Sequence, residues 1–91
     1  MLEIKPGSED AFVAAYGQVR HEVASTPGCR SMRLTRGVES PSRFVLVVEW
    51  DSVEAHEREF RGTDRFTRWR AGIGPYFAQP PNVEHYADVA G

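Results

Sequence analysis

The run from Phe44 to Trp50, FVLVVEW, constrains the fold more than any other stretch of the chain. In an extended strand Phe44, Leu46, Val48 and Trp50 share one face while Val45 and Val47 share the other, so both faces demand cover as far as Glu49. An ordinary surface strand would alternate apolar with polar residues. One face is therefore expected to meet helices of the same chain, and the other requires a second layer.

The chain cannot easily supply that layer itself. With 91 residues it is one small domain, residues 1–91, able to fold without disulfides or metals yet too short to bury most of its surface. Self-association through the outer face of the sheet, with two-fold self-complementary contacts, is the expected remedy.

Hydrophobic periodicity orders the remaining elements. Leu2 to Lys5 reads as a short first strand stopped by Pro6-Gly7. A helix capped at Ser8 follows, with Glu9 and Asp10 at the positive end of its dipole and a stripe of Phe12, Tyr16, Val19 and Val23, until Thr26-Pro27-Gly28 ends it. His21 lies off that stripe and is read as solvated. Arg30 to Thr35 forms a second strand, paired as a hairpin with Phe44 to Trp50 across the turn-rich Gly37 to Ser42.

Asp51 or Ser52 caps the next helix, with Glu54 as a capping-box partner. Its apolar face runs Val53, His56, Phe60, and after an interruption at Gly62 it resumes from Thr63 or Asp64 as Phe66, Trp69 and Ile73, ended by Gly72, Gly74 and Pro75. A last strand spans Val83 to Val89. Strand, helix, strand, strand, helix, strand is the ferredoxin-like βαββαβ pattern of an α+β domain, which implies a four-stranded antiparallel sheet with helices on one face.

The composition excludes several classes of function. A formal net charge of −2 without any basic stripe gives no footprint for nucleic acid. Cys29 stands alone, so neither an internal disulfide nor a cysteine-based metal site can form, which suits a reducing cytoplasm. The opening MLEIKPGSED has neither the basic start nor the apolar core of a signal peptide, and no apolar run approaches the roughly 20 residues that cross a bilayer. A soluble, cytoplasmic protein without membrane contact is expected.

Phosphate loop, dinucleotide fingerprint and nucleophile elbow are all absent from the sequence. His56 and Glu59 have the i, i+3 spacing of a helical metal pair, but no second matching set accompanies them, so no metal site is expected. The alternating charges of Glu57, Arg58, Glu59 and Arg61 read as a solvated helix face.

The segments PGSEDAF, PGCRSMRLTRG, FVLVVEWDSVEAHEREFRGTDRFTRW and PPNVEHY together resemble the antibiotic biosynthesis monooxygenase family, over nearly the whole chain. The resemblance implies a dimeric α+β barrel. It further implies, from several family members, oxygenation of polycyclic aromatic substrates such as anthrones with molecular oxygen and no metal or organic cofactor; other members are without known activity. A related branch degrades haem with a histidine where this chain carries Trp69-Arg70. The first strand is shorter than is usual in the family, so its start is expected to be truncated or misassigned while the downstream pocket residues survive.

Cofactor-free oxygenation needs a substrate that can be deprotonated, a dry pocket, a proton acceptor and hydrogen-bond donors. His56 titrates near neutrality and burial favours its neutral form, which makes it the first choice as base or as partner of a substrate oxygen. The competing reading is a core histidine satisfied by a carbonyl or carboxylate. His85, on the last strand with Val83 and Ala87, is a second pocket candidate. Phe60, Phe66 and Trp69 either wall an aromatic site or simply fill the core, and Trp50 is read as structural. Arg70 stabilises an enolate oxygen or else forms a surface ion pair. Tyr76, with Phe77 beside it, lies where a loop covers the pocket mouth, and Tyr86 can donate a hydrogen bond, as can Tyr16. The expected partners are a small aromatic substrate, oxygen and a second copy of the chain. A non-catalytic barrel dimer that binds a small aromatic molecule or acts in stress response is the rival class, and haem degradation the third.

Overall fold

The computed structural model describes residues 1–87 and 89. Its strands are β1 (Leu2–Glu3), β2 (Cys29–Arg36) and β3 (Arg43–Trp50), in the order β1-β3-β2, all antiparallel. Helices α1 (Glu9–Ala24) and α2 (Asp64–Ile73) accompany them, with a π-helical segment, Ala55–Arg61, before α2 and a 3-10 turn, Gly74–Tyr76, after it. The arrangement is a ferredoxin-like α+β fold with an open three-stranded sheet.

The core forms where the sequence stripes converge. Phe12, Tyr16 and Val23 of α1 are buried with Phe44 of β3, Phe60 of the π-helix, and Trp69 and Ile73 of α2. Phe12 meets Phe44 edge-on with ring centroids 4.9 Å apart. Across the helix pair, Arg68 Nε donates to the Glu22 carboxylate at 2.7 Å, and that bond chiefly holds the Glu22 carboxyl below its ordinary pKa.

Gly28 joins α1 to β2 and sets the position of the π-helix. Its φ of +90° is a left-handed conformation, and a Cβ there would lie 2.6 Å from the Ala55 Cβ. Gly28→Ala is expected to cost about 2–4 kcal/mol from backbone strain and overpacking together. Gly17, on the open face of α1 where an added Cβ would meet nothing within 4 Å, behaves oppositely. Gly17→Ala should stabilise by up to about 1 kcal/mol through helix propensity. Urea denaturation of the two variants checks both signs; equal effects would refute the assigned role of Gly28.

One expectation needs correction. The segment expected as a fourth strand has no strand structure at Val83–Ala87, and Asp88 lies outside the described residues. β1 pairs with β3 only at Leu2↔Phe44 and Glu3↔Arg43. On its other side β1 holds the later chain through the Ile4↔Phe77 bridge and through two backbone bonds between Met1 and Asn82, of 2.9 and 3.1 Å. Past Asn82 the chain has no neighbouring strand among the described residues, so its alternating pattern finds no ladder.

The outer face of the sheet is uncovered, as its sequence implies. Val45 and Val47 are 43% and 37% exposed, sharing that face with Ser31, Arg33, Thr35 and Glu49. Nothing among the described residues covers them. The demand for cover read from the sequence therefore stands unmet within the single chain.

Candidate functional site

The break between β3 and the 83–87 segment opens a cleft of about 1500 Å³. One wall is β3 itself, and the helical layer forms the floor. His56, Phe60, Phe66, Trp69 and Arg70 all line it, with His85 and Tyr86 on the far side.

His56 is positioned from below. Ser52 Oγ accepts from the Ala55 N–H at 3.1 Å, which starts the helical turn directly after β3. The turn then widens, Gly62 N–H donating to the Glu57 carbonyl five residues back at 3.1 Å. Segments of π-helix are rare and occur often at functional sites. The His56 ring stacks on Trp50 at 5.1 Å with 29° between planes, and on Phe60 at 6.2 Å with 18°. Its side chain is 12% exposed, so the inward orientation read from the spacing is found.

The fold adds a partner for it. His56 Nδ1 lies 2.8 Å from His85 Nε2, one ring donating and the other accepting. Burial, and next the neighbouring His85, push the His56 pKa below its ordinary 6.5; Glu57 opposes this and Arg61 reinforces it. Neutral imidazole, the form able to accept a proton, is favoured.

The aromatic residues divide into floor and rim. Phe60 and Trp69 are 3% and 7% exposed. Phe60 meets Phe66 edge-on at 5.7 Å, and Trp69 meets Tyr16 edge-on at 6.0 Å. Phe66 is half-buried, with the guanidinium groups of Arg61 and Arg70 over its ring at 5.4 and 5.8 Å. Arg70 is exposed and lines the cleft.

The tyrosines fall elsewhere. Tyr86 is 86% exposed and donates its hydroxyl to Glu84 at 2.5 Å, a bond that raises the phenol pKa. Tyr76 packs near Phe12, at 6.4 Å, and stands apart from the cleft lining. Phe77, its neighbour, does reach the cleft. Trp50, read as structural, proves to be the ring against which His56 stacks. Arg61, read as solvated, sits over the Phe66 ring. Neither role has a local sequence signal beyond its distance of five or six residues from its partner.

The chain is thus a ferredoxin-like α+β domain with an aromatic cleft and an inward histidine. Residues 1–72 match the family model of antibiotic biosynthesis monooxygenases, and the chain belongs to that family. The uncharacterized Bacillus subtilis (strain 168) protein YczJ is 33% identical over 89 residues, 98% of this chain and 94% of its own length. A crystal structure from Bordetella bronchiseptica bearing the family's name superposes with a TM-score of 0.92 at 37% identity, covering 98% of this chain and 91% of that one. One from Caulobacter crescentus CB15 gives 0.79 at 28% identity, covering 98% and 84%.

No helix among the described residues is long and apolar enough to cross a membrane.

Proposed function

We propose that the protein is a cofactor-independent monooxygenase that oxidises a polycyclic aromatic or quinone-type metabolite with molecular oxygen. The supporting observation is His56, held neutral by burial and stacked at the base of a cleft floored by Phe60 and Trp69. An anthrone-like substrate lies above this floor against the partly exposed rings of Trp50 and Phe66. His56 takes a proton from its CH₂ carbon, leaving an enolate that passes an electron to oxygen. Recombination gives a peroxide; loss of water then leaves a carbonyl at that carbon. One oxygen atom enters the product and the other departs as water.

Arg70, exposed at the rim, supplies positive charge for the enolate oxygen. Tyr86 is less suited to that task, since its hydroxyl is already given to Glu84. In this reading two chains join sheet to sheet over Val45 and Val47, which also shelters the cleft from water.

Oxygen uptake by metal-stripped protein, shown to be dimeric by sedimentation, tests the proposal against a panel of anthrones and hydroxylated polycyclic aromatics. Stoichiometric uptake with quinone formation is expected for at least one compound. Tight binding without uptake across the panel would favour a non-catalytic aromatic-binding barrel instead.

A further inference from the structure

The sequence offers His56 and Glu59 as its only metal-like spacing, but the fold assembles a different group. Three donor atoms, one each from His56, Glu57 and His85, lie within 4.8 Å of one another. The two ring nitrogens are 2.8 Å apart, and Glu57 Oε1 is 3.9 Å from His56 Nδ1. His85 reaches this point from the far wall of the cleft, 29 residues along the chain from His56.

We propose that His56, Glu57 and His85 bind a divalent first-row transition ion, best matched by zinc, with water at the fourth position. Bonds of 2.0–2.1 Å at tetrahedral angles set neighbouring ligand atoms about 3.3 Å apart. The imidazole pair has to open by about half an ångström, and the carboxylate to close by about 0.6 Å on His56 and by up to about 1.5 Å on His85, movements within reach of the exposed His85 and Glu57 side chains. His85 is exposed on a segment without strand pairing, and the Glu57 side chain is 46% exposed. The least mobile ligand is His56, oriented by its stacks on Trp50 and Phe60.

The donor set selects the class of ion. Magnesium and calcium prefer all-oxygen cages, whereas two imidazoles and one carboxylate suit zinc, nickel, copper or cobalt. One group competes: Arg61 Nη1 lies 3.8 Å from the same Glu57 oxygen, but this is a partly exposed i, i+4 pair of small worth. Binding would fasten the 83–87 segment to the π-helix and so close one side of the cleft. The site rests only on the placement of the three ligands. An ion on His56 takes the lone pair that the proposed base needs, so the metal-bound and metal-free forms are alternatives, and zinc should suppress any oxygen uptake by the metal-stripped protein.

Calorimetry with zinc chloride alone, and visible spectroscopy with cobalt(II), test it on the full chain. The expected result is one ion per chain, with the intense absorption of tetrahedral cobalt. His85→Ala removes an exposed ligand and should leave the thermal melt of the ion-free protein unchanged while weakening zinc at least about 100-fold, the upper end of what losing a mere supporting partner costs. His56→Gln should weaken it to a similar degree, and Glu57→Gln by about tenfold. No stoichiometric binding by the parent protein would overturn the proposal. So would undiminished binding by His85→Ala, which would place the ion elsewhere, for instance on His21 and Glu22, whose side chains meet at 3.0 Å.

Discussion

Phe12→Ala is expected to remove about 3–5 kcal/mol of folding stability, the range for deleting a fully buried aromatic ring. Phe12 is 0% exposed, and its ring is touched from three directions. Phe44 of β3 meets it at 4.9 Å, Tyr76 at 6.4 Å and Phe77 at 6.5 Å. These neighbours cannot collapse onto the gap. Phe44 is pinned in the ladder opposite Leu2 and Arg36, and Phe77 is bridged to Ile4. A domain of this length has on the order of 5–14 kcal/mol in total, so the variant would be marginal at room temperature. Its melting temperature should fall by roughly 15–30 °C. Val13, the next residue, is 44% exposed, and Val13→Ala should change stability by about 0.5 kcal/mol or less. Guanidinium melts of the pair decide the matter: similar midpoints would mean that Phe12 is not the centre of the core.

That centre was readable in advance because helical periodicity is a local property. The stripes Phe12, Tyr16, Val19, Val23 and Phe66, Trp69, Ile73 emerge as the packed faces of α1 and α2, and the hairpin of β2 and β3 forms across its Gly37 to Ser42 turn. Strand pairing is not local, and there the reading failed. Val83, His85 and Ala87 alternate as a strand should, but an extended segment becomes a strand only beside a partner, and β1 supplies none beyond Asn82. The apolar pattern on both sides of β3 was legible as a demand for cover that the chain does not itself meet, and Val45 and Val47 are open among the described residues.

The candidate site shows the same division. That His56 faces inward follows from its spacing with Phe60, since both lie on one helical face. That it stacks on Trp50 and touches His85 depends on how β3 enters the π-helix and where the chain returns after α2. No periodicity encodes a contact between residues 29 positions apart. The two histidines could be named singly as pocket candidates; their pairing is a product of topology. Glu57 and Arg61 were hidden for a related reason, because alternating charge looks alike on a solvated helix and at the lip of a cleft.

If His56 is the base, His56→Ala should lower kcat/KM for an oxidised aromatic substrate by about 10²–10⁴-fold, the usual worth of a positioned proton acceptor, with oxygen uptake as the readout. Its pH profile separates this role from a packing role. Activity requires the neutral ring, and burial with the nearby His85 keeps the ring neutral to lower pH than an ordinary histidine, so the acid limb should fall below pH 6.5. His85→Gln removes the second of those influences but leaves burial, the larger one. The limb should therefore move upward, toward but not beyond 6.5. Stability has the same sign. The unfolded chain takes up a proton near pH 6.5 and the folded chain only at lower pH, so folding loses free energy as pH drops below 6.5 and the loss levels off once folded His56 is also protonated. His56→Ala abolishes that contribution to the acid sensitivity, whichever role the ring plays in catalysis. A rate that survives the substitution, or an acid limb unmoved by His85→Gln, would reduce His56 to a core residue and leave the oxidation chemistry, if present, to another group in the cleft.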